Sequence, residues 1–165
     1  MDEIRVERRK DYQQEVHLII VEDDEGHATL IMKNLKRAGF KNDMLHFKDG
    51  QEVLDFLFLK GEGPHRISGK SYLLLLDIRM PKVEGVEVLR QIKKDPELCK
   101  MPVIMVTTTD DPREVDHCHK LGCNIYITKP VDYERFIDAI KKLGLFLAVV
   151  KVPKIDGDTE LNVGK

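Results

Sequence analysis

The sequence predicts an α/β fold, a (βα)5 doubly wound parallel sheet in strand order 2-1-3-4-5, built from a chain of 165 residues. Three observations carry this reading. VHLIIV (residues 16–21) and Tyr72–Leu76 are almost continuously apolar, as strands covered on both faces must be. Segments of strand length alternate five times with segments of helical periodicity. Turn signals, among them Gly39, Asp95–Pro96 and Gly122, fall between them.

The first strand, 16–21, is followed by the acidic turn EDDEG and a helix over His27–Ala38, whose stripe is Ala28, Leu30, Ile31, Leu35 and Ala38. Met44–Phe47 is a short strand. Asp49 caps a second helix, Gln51–Lys60, with Val53, Leu54, Leu57 and Phe58 inward. Residues 61–70 hold three glycines and a proline without periodicity, which predicts a mobile surface loop. Tyr72–Leu76 is the third strand and Val86–Lys94 the third helix. Val103–Val106, Arg113–Leu121, Ile125–Ile127 and Asp132–Leu143 complete the alternation. Right-handed crossovers joining such units give the flavodoxin-like order stated above. Residues 1–15 read as a charged arm, 16–143 as the domain, and 144–165 as an apolar then polar tail.

Composition narrows the function. Twenty-seven basic against 29 acidic residues leave a formal charge of −2, without the basic excess of a nucleic-acid surface. No apolar run approaches a membrane span, and MDEIRVERRK is no signal peptide. Three cysteines, Cys99, Cys118 and Cys123, have no framework spacing and fit a reducing, cytoplasmic compartment. Neither GxGxxG nor GxxxxGK[ST] follows the first strand, so dinucleotide and P-loop binding are excluded.

Open sheets of this kind place their chemistry beyond the carboxyl ends of the strands. Strand one ends in Glu22, Asp23 and Asp24, strand three in Asp77, strand four in Thr107–Thr109, and strand five in Lys129–Pro130. Each is unremarkable alone: an Asp after a strand commonly caps a helix, and a Lys before Pro is commonly solvated. Together they place converging carboxylates beside a hydroxyl and an ammonium. Such carboxylates repel one another unless a cation intervenes, and Mg²⁺ with oxygen ligands suits the position. The set fits attack of a carboxylate on a phosphoryl group. His117, Cys118, His119 and Cys123 suggest a zinc site less well: His119 and Cys123 could share a helix face, but His117 and Cys118 point elsewhere.

The stretches LIIVEDDEG, LLLLDIRMPKVEG, VIMVTTTDD and GCNIYITKPV resemble the receiver domain of two-component response regulators, over residues 16–143. That resemblance implies Asp77 as phosphoacceptor and Mg²⁺ held by Glu22, Asp23, Asp77 and the backbone carbonyl of Arg79. It implies Thr107 and Lys129 as the catalytic and switch pair, and Tyr126 as the aromatic that turns inward. It further implies Arg79 and Thr109 as tuning positions, a cis bond before Pro130, and a switching face on the fourth helix, fifth strand and fifth helix. A receiver is a phosphoacceptor rather than an enzyme, although it can catalyse its own phosphorylation and dephosphorylation. A degenerate receiver used for docking or dimerisation would lack Asp77, Thr107 or Lys129. An aspartyl-phosphate phosphatase would need an Asp where Arg79 stands.

The tail LGLFLAVVKVPKI is apolar for a segment beyond the last helix. It either packs on its own domain or associates with a second copy through Phe146, Leu147, Val149, Val150 and Val152. Residues 144–165 are too few for an output module, so a stand-alone receiver is expected. Loop 61–70 and the tail resemble the single-domain regulators paired with bacterial phytochrome kinases. The expected partners are therefore a sensor histidine kinase, a bacteriophytochrome in that sub-family, and a second copy in a homodimer, with neither nucleic acid nor membrane.

Overall fold

The computed structural model describes residues 15–157. Five parallel strands, β1 (Val16–Val21), β2 (Met44–Phe47), β3 (Ser71–Leu76), β4 (Val103–Thr107) and β5 (Ile125–Thr128), form one sheet in the order β2-β1-β3-β4-β5. Helices α1 (Glu25–Arg37), α2 (Gly50–Leu57), α3 (Gly85–Lys94), α4 (Pro112–Leu121) and α5 (Tyr133–Leu147) connect and follow them. A 3-10 turn, Leu98–Lys100, precedes β4.

The period-two alternation of strand side chains divides the core into two layers. Leu18, Ile20, Leu73 and Leu75 pack with Ile31 and Leu35 of α1 and Phe136, Ile140 and Leu143 of α5. Ile19, Val21, Leu74 and Leu76 pack on the opposite face with apolar residues of α2 and α3 and with Cys118 of α4. All six residues of β1 and all six of β3 are buried, because these central strands are covered on both sides. Asp24, Asp49, Asp111 and Asp132 each accept a backbone N–H at the start of a helix. Four of the five helices thereby start at an acidic cap.

Three boundaries differ from the sequence reading by two residues or more. Asp24 caps α1, which therefore starts at Glu25, two residues early. α2 stops at Leu57, and Leu59 takes a positive φ of 59°. α5 does not end at Leu143 but runs through Gly144 to Leu147. A Cβ at position 144 would lie 2.7 Å from Cβ of Ala38, so this glycine serves the close approach of α5 to α1.

The tail is the main correction. Leu147 and Val152 are buried in the layer of α1 and α5, and Ile155 is fully buried in the opposite layer. Two of the five tail residues expected to meet a second copy therefore face the chain's own core. Phe146 and Val150 are half-buried and Val149 is exposed. The segment crosses beneath the sheet as a strap: Lys154 bridges Ser71 in antiparallel sense, and Ser71 Oγ donates to the Val152 carbonyl at 3.0 Å. Gly69 N–H donates to Ile155 at 2.7 Å, and Ile155 N–H to Lys70 at 2.9 Å.

Loop 61–70, expected to be mobile, is pinned by that strap. Arg66 donates to both carboxylate oxygens of Asp156, at 3.0 and 3.2 Å, and to the Leu57 carbonyl at 2.7 Å. The cis peptide bond among the described residues is Gly63–Pro64, so Lys129–Pro130 is trans, contrary to expectation. Residues 1–14, nearly all of the charged arm, and the polar end 158–165 lie outside the described residues.

The strap yields a direct prediction. Ile155→Ala removes a fully buried side chain and should cost about 2–5 kcal/mol in urea unfolding. A tail lying on the surface would leave the midpoint unchanged.

Candidate functional site

The β strands deliver their terminal residues to one place because all five run in the same direction. Glu22 follows β1 and its N–H donates to the Phe47 carbonyl at 3.1 Å; the Asp77 N–H, after β3, donates to Val21 at 3.2 Å. Lys129 follows β5 and its N–H donates to the Thr107 carbonyl at 2.6 Å. The backbone has thus fixed the four residues before their side chains meet.

The side chains then converge. Lys129 Nζ donates to Glu22 Oε2 at 2.6 Å and to Asp77 Oδ2 at 3.2 Å. The remaining Asp77 oxygen, Oδ1, accepts the Arg79 N–H at 3.3 Å. Carboxylate oxygens of Glu22, Asp23 and Asp77 all lie within 4.8 Å of one another. Glu22 and Lys129 are buried, Asp77 nearly so, and Asp23 is exposed. Asp23 and Arg79 line an open groove with Pro81, Glu84 and Glu114, which gives the cluster access to solvent.

The electrostatics follow from burial and count. Burial pushes the Glu22 carboxyl up to about 7, against the downward pull of the hydrogen bond and charge of Lys129. Burial alone would lower the pKa of Lys129, but Glu22 and Asp77 outweigh it and hold the ammonium above its ordinary value. Three carboxyl groups share one ammonium, so acidic groups outnumber the counter-charge. A hard divalent cation would neutralise that excess, and an all-oxygen donor set with solvent access is what Mg²⁺ prefers. The residues present fit such an ion.

Thr107 is fully buried, and its Oγ1 has no hydrogen-bond partner among the described residues. Tyr126, half-buried, donates its hydroxyl to the Thr109 carbonyl at 2.8 Å, and so ties β5 to the loop that follows Thr107. Gly85 is a positioning residue that sequence reasoning missed. A Cβ there would stand 2.0 Å from the Asp77 carbonyl oxygen, so only glycine lets the start of α3 close over that residue. Its signal was available in the run LLLLDIRMPKVEG. His46, whose Nε2 lies 2.7 Å from the Glu22 carbonyl, was also missed and carries no sequence signal.

The weaker zinc reading does not assemble. Cys118 and Cys123 are buried while His117 and His119 are exposed, and burial pushes the Cys118 thiol up to about 11. Among the described residues, the one group of His, Cys, Asp or Glu side chains close enough to hold a metal is Glu22, Asp23 and Asp77.

A doubly wound sheet with a carboxylate–ammonium cluster at its carboxyl edge defines a class of α/β proteins that handle their ligands there. The chain belongs to the response regulator receiver domain family, which matches residues 18–141. The sequence is 36% identical over 133 residues to the probable methanogenesis regulatory protein FilR2 of Methanothrix harundinacea, covering 78% of this chain and 83% of that one. The crystal structure of a response regulator receiver domain from Rhodospirillum rubrum is similar at a TM-score of 0.80 and 44% identity, covering 86% of this chain and 99% of that one. A phosphorylated cyanobacterial phytochrome response regulator, RcpA, is similar at a TM-score of 0.74 and 30% identity, over 83% of this chain and 97% of that one. Among the described residues no helix is long and apolar enough to cross a membrane.

The orphaned hydroxyl gives a test of the unmodified site. Thr107→Val replaces an unsatisfied buried donor with an apolar group of the same shape, and should raise stability by about 1 kcal/mol in urea unfolding. A destabilisation of that size would mean that the hydroxyl already has a partner.

Proposed function

We propose that this receiver accepts a phosphoryl group on Asp77 from a sensor histidine kinase, with Mg²⁺, and that the added charge switches the face formed by α4, β5 and α5. One observation supports this most directly: Asp77 shares a buried ammonium with Glu22, beside Asp23, and the next strand ends in a hydroxyl without a partner among the described residues.

A carboxylate oxygen of Asp77 attacks phosphorus of a phosphohistidine. The O–P bond forms as the N–P bond breaks, and the electron pair leaves with the imidazole, which keeps a proton on its other nitrogen. Hydrolysis later adds water at phosphorus and releases inorganic phosphate, restoring the carboxylate. Glu22, Asp23, Asp77 and the Arg79 carbonyl would hold Mg²⁺, which when bound offsets negative charge on the phosphoryl oxygens. Lys129 holds the Asp77 carboxylate in place and balances the charge of the acyl phosphate. Arg79, which lines the open groove, and Thr109, two residues beyond Thr107, tune how readily water reaches phosphorus.

Phosphorylation adds nearly two negative charges and strong acceptor oxygens. The Thr107 hydroxyl donates to one of them, drawing in the loop that Tyr126 holds through Thr109. The Tyr126 ring then turns inward, altering the face of α4, β5 and α5. The likeness to RcpA favours a phytochrome-type histidine kinase as donor. In a phosphotransfer panel such a kinase should label the chain fastest.

Exposed apolar residues on this face, Ile125, Val131 and Tyr133, with Leu145 and Val149 at the end of α5, support a homodimer. Leu145→Glu with Val149→Glu should halve the mass seen by light scattering while leaving unfolding unchanged. A mass unaffected by both charges would remove this surface from the dimer.

Incubation with acetyl phosphate and Mg²⁺ should add one phosphoryl mass to the protein, and none to Asp77→Asn or in the presence of a chelator. Labelling of Asp77→Asn at the wild-type level would overturn the assignment. Beryllofluoride, an acyl-phosphate mimic, should shift the NMR signals of Tyr126 in the wild type. In Thr107→Val it should leave them in place.

A further inference from the structure

We infer that the groove at the amino-terminal ends of the strands, opposite Asp77, is a docking surface for an acidic protein segment carrying an apolar anchor. The groove lies between the turn after α1, the start of β3, and the end of α5 with its strap. It offers about 1120 Å³, at the upper end of small-ligand sites and open enough for a peptide.

Its charge is one-sided. Lys41, Lys70, Lys151 and Lys154 line it, with Glu15 as the single lining carboxylate. Among the described residues none of these four ammonium groups has a carboxylate within 4.0 Å, whereas Lys48, Lys82, Lys100, Lys120 and Lys129 are all paired. Four unpaired like charges around one concavity raise its positive potential, and complementary charge steers and orients a partner. The chain as a whole is net acidic, so this concentration is local.

The groove also has an apolar side. Phe40 and Leu147 are buried at its base, Val150 is half-buried, and Val149 is 78% exposed at its rim. The His17 imidazole, buried beside them, has an Nε2 without a hydrogen-bond partner among the described residues. A protein segment suits this concave mixture better than a bilayer does, because a flat lipid surface cannot follow the groove. An occupant here would leave the Asp77 pocket free and would share Val149 with the proposed dimer surface.

The test titrates the full ¹⁵N-labelled chain with a short acetylated peptide of glutamate and leucine. Saturable shifts are expected at Gly39, Lys41, Asn42, Gly69, Lys70 and Val150. Combined charge reversal, Lys41→Glu, Lys70→Glu, Lys151→Glu and Lys154→Glu, should weaken binding at least about tenfold. Exchanging the peptide's leucines for serine should weaken it by a similar factor. An unchanged urea midpoint shows that the reversed variant is folded; if it unfolds, Lys41→Glu alone is used and should still weaken binding. Shifts confined to the Asp77 pocket, or none, overturn the proposal. So does equal binding of the serine peptide, of charge-reversed protein, or of anionic phospholipid vesicles or RNA in place of the peptide.

Discussion

The site depends on one buried ammonium. Lys129 stands at the end of β5, two strand positions from β3 and three from β1, and still meets both Asp77 and Glu22. Neighbouring strands are spaced by about 4.8 Å, so the backbones of β5 and β3 stand roughly 10 Å apart, a gap that Lys129 and Asp77 close by reaching toward each other. A long flexible stem ending in a point charge can do this; a short side chain at the same position could not. The stem passes the end of β4, where Thr107 sits. Without the ammonium, two carboxylates would be buried side by side with no counter-charge, which is far costlier than the paired arrangement.

The rest of the fold supplies the stability that this arrangement draws on. β1 and β3 are covered on both faces, and their residues pair in register from Val16 and Ser71 to Val21 and Leu76. That rigid pair carries Glu22 and Asp77 out to adjacent positions. Local consistency gives way around the carboxyl ends of the strands: clustered acidic groups, a buried hydroxyl with no partner among the described residues, and a glycine forced by contact with the Asp77 carbonyl. Such departures are expected where a protein is built to receive a ligand.

Much of this was legible from the chain. The apolar runs and their alternation with helices were enough for strand order, and the acids, hydroxyl and lysine could be read at successive strand ends because periodicity sets where each strand stops. What stayed hidden is non-local. The Arg66–Asp156 pair joins residues 90 apart, and no local pattern announces that it will pin loop 61–70. For Val152 and Ile155 the sequence left packing on the domain and contact with a second copy both open, because their burial depends on crossing from one layer to the other. Gly144 lies just past the residue where the sequence reading ended the last helix, and its close contact with Ala38 explains why a glycine stands inside that helix. The Lys129–Pro130 bond was read from resemblance, and the geometry differs.

The strap has a practical bearing on tethering. It carries the chain from α5 under the sheet to Asp156, near the first residue of β3, whereas Asp77 follows the last residue of that strand. Six residues of strand separate these ends by about 20 Å. A reporter or affinity handle joined after Gly157 would thus hang from the pole remote from Asp77, and would leave the groove beside Asp23 and Arg79 unobstructed.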